Sequence, residues 1–290
     1  MAIIEADQLF DKLIDIKKAN SARKGVSTGF HSLDDLMLLS KQYLMVMTGM
    51  PSCGKSEVLD ALAVNTAILH DWSWLYFSPE NFPLEEHLKK IVEKKAGKNL
   101  NSLSDQIIEN TTGWVKDHFA WVNPDDEKFS LHSILEEAQI RIESGFRVDA
   151  LVIDPWNELD HSGQAGLRDD QYISKCLTQL RRFHRKYDIL TCVIIHPTKM
   201  QKENGKYPVP NLYDCNGGAM WRNKADFGVC VHRHDLTEQS ACIYVQKVKF
   251  KTMGKVGETK LDYDFKSGRF KDQMNPSFTL PSSNDEALPL

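Results

Sequence analysis

No stretch of the 290 residues is apolar for long enough to cross a membrane, and the opening run from Met1 to Asp7 is acidic and amphipathic rather than a secretory signal. A cytoplasmic protein is therefore expected. Neither sign of charge dominates: 36 Lys+Arg stand against 40 Asp+Glu, a net −4. Any surface for nucleic acid must then be local, because the whole chain does not announce one. The six cysteines (Cys53, Cys176, Cys192, Cys215, Cys230 and Cys242) include no C-x-x-C pair, which argues against a zinc ribbon or a disulfide frame and for reduced, buried thiols. No internal repeat and no second apolar core are visible. With 41% apolar and 26% charged residues, the chain reads as one globular domain, with a leader helix and linker over 1–22 and a Pro- and Ser-rich tail over 273–290 expected to be disordered.

What is present is a phosphate-binding loop. Gly49, Met50, Pro51, Ser52, Cys53, Gly54, Lys55 and Ser56 spell G-x-x-x-x-G-K-S. Glycines at both ends let the backbone curl so that successive N–H groups point at an anion. Lys55 supplies a point charge for the β- and γ-phosphates, Ser56 a hydroxyl for Mg²⁺, and the following helix the positive end of its dipole. The context agrees: Tyr43–Thr48 is an apolar run of strand length, and Glu57–His70 reads as helix. The sequence therefore predicts binding of ATP or another nucleoside triphosphate with Mg²⁺.

Further strands are expected at 74–78, 118–122, 149–154 and 189–196, as near-continuous apolar runs separated by helical patterns. Such alternation predicts an α/β fold whose mainly parallel central sheet is covered on both faces. From Phe227 the texture changes. Runs at 227–232, 242–251 and 260–265 follow closely, which predicts antiparallel strands at the C-terminal edge. Residues 95–115 are polar and weakly patterned. Ile3–Lys18 reads as an amphipathic helix that either folds back or docks on a neighbouring subunit.

Three residues end buried strands, where parallel sheets gather their ligands. Asp154 suits a metal-holding carboxylate, or else caps the turn before Pro155. Glu80 suits a carboxylate that orients the attacking water, or else an acid favoured at a helix start. His196 suits a γ-phosphate contact, or else a satisfied core histidine. After it, Lys199, Lys202 and Lys206 lie on a polar loop, as DNA contacts or merely solvated charges. Asn216, Gly217 and Gly218 precede a helix start where backbone N–H groups meet phosphate. His232 and His234 lack a third ligand at useful spacing for a metal.

Taken in order, Gly25–Asp34, the phosphate loop, Phe77–Glu80, Leu151–Asn157, Ile195–Lys199 and Asn216–Asp226 resemble the RecA-like ATPase domain of DnaB- and Twinkle-type replicative hexameric helicases. The block Val245–Phe270 extends the resemblance, which covers about residues 23–270 and implies an ATPase domain over 23–272. It is closest to the phage and bacterial primase–helicases, whose strand-end residue is His, and it implies a RecA-like P-loop NTPase in a bacterial or phage-infected cell. The expected activity is an ATP-driven ring, hexameric, moving on single-stranded DNA and unwinding duplex. The resemblance assigns Glu80 as catalytic glutamate, Asp154 as the Walker B aspartate and His196 as sensor, and it places Arg233 and Tyr263 around the nucleotide base. It also implies a channel-facing role for the loops after Asp154 and His196. Where the family carries an arginine finger, this chain offers Lys249 and Lys251. Two apart on a predicted strand, they would project to one face, either into a neighbour's site or as solvated edge lysines. No primase region precedes residue 23, so a separate primase or polymerase is the expected partner. The alternative function is a RecA-like strand-exchange or regulatory DNA-dependent ATPase.

Overall fold

The computed structural model describes residues 4–18, 25–123, 129–164, 166–203 and 205–274. The predicted tail beyond Met274 therefore lies outside the described residues, as does most of the linker after the leader helix. The elements in chain order are α1 (Phe10–Lys18), α2 (His31–Asp34), β1 (Leu44–Thr48), α3 (Lys55–His70), β2 (Trp74–Phe77), α4 (Leu84–Ala96), α5 (Asp105–His118) and β3 (Phe119–Trp121). They continue with α6 (Leu131–Glu143), β4 (Ala150–Ile153), α7 (Asp169–Tyr187), β5 (Leu190–Ile194), α8 (Gly218–Lys224), β6 (Phe227–His232), β7 (Ser240–Val248), β8 (Gly257–Asp264) and β9 (Arg269–Asp272).

The nine strands among the described residues form one sheet in the order β3-β2-β4-β5-β1-β6-β7-β8-β9. The six strands from β3 to β6 pair in parallel, and β6 through β9 pair antiparallel. The expected α/β architecture, parallel with an antiparallel C-terminal edge, is what the chain adopts. Every residue of β1, β2, β4, β5 and β6 is buried, because helices cover both faces. Met45 and Met47 join the cluster of Val58, Leu62 and Ile91, while their neighbours Leu44 and Val46 join Ile134, Leu177 and Leu180 on the opposite face.

Local chemistry accounts for the element ends. Ser130 caps α6, its hydroxyl accepting from the N–H of Ser133 at 3.2 Å while the Ser133 hydroxyl accepts from the N–H of Ser130 at 3.0 Å. Pro83 stands at the N-cap of α4, just before the first turn.

Three expectations need correction. The weakly patterned stretch 95–115 contains most of α5, which Ser104 starts by accepting from the N–H of Ile107. A ninth strand, β9, follows the predicted ones. Finally, β7 stops at Val248 rather than at 251, so Lys249 and Lys251 lie in a bend and a turn beyond it. The Lys249 N–H makes one more rung of the β6–β7 register, to the carbonyl of Asp226, and its ammonium pairs with the Asp226 carboxylate at 2.7 Å before the chain turns. The same-face geometry inferred from strand alternation therefore does not apply to this pair.

Candidate active site

The loop from Gly49 to Gly54 leaves the C-terminal end of β1 and enters α3. Gly49 takes φ +151° beneath the carbonyl of Val231, where a Cβ would clash, and Gly54 takes φ +87° as the N-cap. These two glycines are required by close approach and by left-handed backbone respectively. Lys55 is buried, and its ammonium donates to the carbonyls of Gly49 at 3.1 Å and Met50 at 3.2 Å. Burial pushes its pKa down, against the opposing pull of Asp154, Cys53 and Glu80.

Asp154 directly follows β4, its N–H bonded to the carbonyl of Phe77 at 2.9 Å. The carboxylate is buried. Its Oδ2 accepts from the hydroxyl of Ser78 at 3.4 Å, while Oδ1 has no hydrogen-bond partner among the described residues. Burial first raises its pKa, the nearby Ser56 hydroxyl opposes, and the charges of Asp60 and Glu80 add, leaving it at about 6. An orphaned buried carboxylate oxygen beside the loop serine suits a hard divalent cation, which takes oxygen ligands and shares them with phosphate.

Glu80 sits in a 3₁₀ turn, Pro79–Asn81, just beyond β2. Its Oε1 lies 3.7 Å from Nε2 of His196, just beyond β5. The structure thus brings Lys55, Asp154, Glu80 and His196 to one rim of the sheet. Burial first, and the Lys55 ammonium second, hold the His196 imidazole below its ordinary range despite Glu80 and Glu158. Both influences favour the neutral ring, and the His196 backbone N–H is fixed on Oδ1 of Asn157 at 3.2 Å.

On the other side of the loop, Ser52, Cys53 and Gly54 share a cavity of about 340 Å³ with Arg233, Tyr263 and Phe265. Both residues expected around a base are there. Phe265 and Phe270 pack against the ring of Tyr263, each at a centroid distance of 5.0 Å. The phenol donates to Oε2 of Glu57 at 3.2 Å. Arg233 is steered by the carbonyls of Leu236 and Glu238 in the turn after β6.

Lys199, Lys202 and Lys206 are exposed, as a phosphate-contacting loop requires. Pro197 bridges to Cys215, closing the loop's base. Lys202 and Lys206 line a second cavity, about 610 Å³, with Met50, Pro51, His232 and His234. The loop after His196 therefore lies against the outer side of the phosphate loop. Asn216 is exposed, but Gly218 is buried against the backbone of Tyr213, and Gly217 takes φ +68° over Ile173. Packing alone accounts for both glycines. Sequence reasoning missed Glu57, Ser78 and Asn81, whose only signal was adjacency to Ser56 and Glu80.

A family model described as DnaB-like helicase C terminal domain matches residues 25–272. The chain belongs to this family. It is 32% identical over 266 residues to the Twinkle homolog protein, chloroplastic/mitochondrial, of Arabidopsis thaliana, covering 86% of this chain but 36% of that protein. The chain thus spans little more than a third of that relative's length. Among solved structures, one described as an ATPase domain superposes with a TM-score of 0.77 at 18% identity, over 93% of this chain and 99% of that one. A DnaB-like replicative helicase, solved in a study of its interactions with primase, gives 0.75 at 19%, over 93% and 68%. These two likenesses establish the fold. Among the described residues of this DnaB-like domain, no helix is long and apolar enough to cross a membrane.

The burial of Asp154 has a measurable cost. A carboxyl whose pKa is raised in the folded chain loses stability as pH climbs from its unfolded value near 4 to its folded value of about 6. At pH 8 Asp154→Asn should therefore raise the stability of the nucleotide-free protein by about 3 kcal/mol. The gain should shrink towards nothing as pH falls from 6 to 4. Thermal melts across that range check it, and an unchanged melting temperature at pH 8 would refute the penalty.

Proposed function

We propose that this DnaB-like domain is the motor of a ring-forming replicative helicase, hydrolysing ATP or another nucleoside triphosphate to move along single-stranded DNA and unwind duplex. The observation that carries this reading is the approach of His196 to Glu80 at 3.7 Å, at the same strand-end rim as Lys55 and Asp154. A water-orienting carboxylate and a neutral imidazole are then available to one γ-phosphate. Family membership does not favour the strand-exchange alternative.

In this reading the loop N–H groups and Lys55 hold the phosphates, and Glu80 orients water and accepts its proton. Mg²⁺, held by Ser56 and Asp154, would offset charge on the phosphate oxygens. Arg233 and Tyr263 flank the base. Lys199, Lys202 and Lys206 meet DNA phosphates, giving salt-sensitive binding with little sequence preference. A ring of copies, six by the resemblance, is consistent with α1, whose Phe10, Leu13 and Ile16 are exposed, as is Leu9 just before it, and suited to covering by a neighbour. A primase is the further partner this reading suggests, since a similar DnaB-like helicase was solved in a study of its interactions with primase.

Lys55→Ala should abolish nucleotide binding or turnover, whereas Glu80→Gln should bind normally and lose hydrolysis by at least about a hundredfold. Equilibrium binding of a fluorescent ATP analogue, with steady-state ATPase beside it, separates the two. Normal hydrolysis by Glu80→Gln would remove it from the mechanism.

His196 begins the loop that carries the three lysines, so it can transmit γ-phosphate occupancy to DNA. His196→Ala should keep part of the basal hydrolysis and lose stimulation by single-stranded DNA. Full stimulation in that variant would defeat the coupling.

For the cation contributed across the subunit interface, we infer Lys251. Lys249 is paired with Asp226, and Arg222 donates to the carbonyl of Gln246 at 2.8 Å, whereas Lys251 is exposed in its turn. A lysine would act as a point charge rather than a bidentate fork. Lys251→Ala subunits mixed with Lys55→Ala subunits should regain ATPase activity above the sum of the separate preparations. No recovery in rings whose assembly is confirmed would place the cation elsewhere.

A further inference from the structure

Glu57 directly follows the phosphate-loop residue Ser56, and three side chains from other elements converge on its carboxylate. Tyr263 of β8 donates to Oε2 at 3.2 Å, the buried Lys94 of α4 donates to the same oxygen, and Nζ of Lys90, one turn earlier on α4, lies 3.2 Å from Oε1. Lys90 has a second commitment, because the same ammonium donates to Oδ1 of Asn81 at 3.0 Å. Asn81 is buried, and its amide donates to the hydroxyl of Ser78 at 2.8 Å, which in turn donates to Asp154. The N–H of Asn81 also closes onto the carbonyl of Ser78 at 3.1 Å. Glu80 lies inside that closed turn.

The contacts form an unbroken path of charge-assisted and neutral hydrogen bonds from the base cavity to the carboxylate turn. Within this path only Lys90 touches both halves. Apart from Lys90, the cluster of Tyr263, Lys94 and Glu57 meets that of Asn81, Ser78 and Asp154 through Ser56, which is next to Glu57 in the chain and beside Asp154, and so bypasses the Glu80 turn. Burial works to discharge the Lys90 ammonium, but Glu57 and Asp60 outweigh it and raise its pKa, so both of its contacts are those of a cation. A lysine serving only to pack α4 would need neither the buried amide nor the loop carboxylate.

We propose that Lys90 is a positioning residue that ties the Glu80 turn to the nucleotide's base pocket, so that a base in that pocket raises turnover and not only affinity. The proposal rests on the reading of Glu80 as the water-orienting group and of Tyr263 as a base contact. Chemistry is sensitive to such placement, since a shift of about 1 Å in a reacting group costs up to about a hundredfold. Binding energy from a remote part of the substrate is then expressed at the reacting phosphate.

The test compares ATP with ribose 5-triphosphate, which carries the same phosphates and no base, in steady-state hydrolysis by the full chain with single-stranded DNA. The wild-type protein should show a kcat about tenfold higher on ATP, beyond any difference in KM. Lys90→Met should lose that kcat advantage, with the two substrates converging, while KM for ATP changes by less than about threefold. Asn81→Ser, a smaller change within the turn, should converge likewise, and Lys90→Arg should restore a substantial part of the advantage. Melting temperature and binding of a fluorescent ATP analogue establish that each variant is folded, and Asn81→Ser carries the test if Lys90→Met is not. A kcat advantage for ATP that survives in the folded variants overturns the proposal, as does a loss confined to KM. Glu80→Gln, assayed alongside, separates the failures: wild-type hydrolysis there refutes the reading of Glu80. An inactive Glu80→Gln with an unaltered Lys90→Met refutes only the positioning role.

Discussion

The parallel register of β2, β4, β5 and β1 is the constraint on which the site depends. Phe77 pairs with Ile153, Ile153 with Val193, and Ile194 with Met47, so these strands end at nearly one level. Hydrogen bonds one residue further, from Asp154 to Phe77 and from Ile195 to Met47, extend the ladder to the rim. Each chain then leaves the sheet on the same side. Residues separated by more than a hundred positions, such as Glu80 and His196, meet because their strands stop together. The apolar runs that bury both faces of the sheet therefore also set the spacing of the polar groups at its end.

The electrostatics separate groups that hold the fold from groups poised for chemistry. Asp149 is buried, yet it accepts from the N–H of Ser73 and pairs with Lys41 and Arg147. Asp226 is buried and accepts from the N–H of Leu44 and from Lys249. Both are satisfied by strand ends and cations. Asp154 has the same burial and a strand-end position, but one oxygen is unpartnered among the described residues and its carboxyl is pushed up to about 6. A buried carboxylate left incompletely paired costs stability and is what a functional site accepts in exchange for reactivity.

The parts legible in the sequence were those written locally. A phosphate loop has fixed spacing, and buried parallel strands are short apolar runs, so both their positions and the polar residues ending them could be read. Helix α5 was not legible because few of its residues face the core: Thr111 and Val115 are its buried ones, too sparse to give a helical period. The end of β7 was misplaced because Lys249 looks like one more strand residue. It makes one last rung to the carbonyl of Asp226, twenty-three positions earlier, and pairs its ammonium with that carboxylate, but the chain bends there and turns at Lys251. The Glu57, Lys90 and Asn81 contacts were equally hidden. Each joins residues from separate elements, and only the packing of α4 on α3 brings them together.

The phosphate loop is shared between two cavities, and under the proposed function this arrangement would offer a route from nucleotide to loop movement. Ser52 and Cys53 face the cavity lined by Arg233 and Tyr263, whereas Met50 and Pro51 face the cavity lined by Lys202 and Lys206. Cys53 lines both. The intervening backbone has little slack, since Gly49 is pressed beneath Val231 and Ser52 is held at φ +62°. A loop with so few alternatives does not absorb a displacement on one side without presenting it on the other. A ligand that contacts the inner side of this loop is thus placed to bias the lysine-bearing segment on its outer side. The size of that bias is limited to the difference in its affinity for the two positions of the segment.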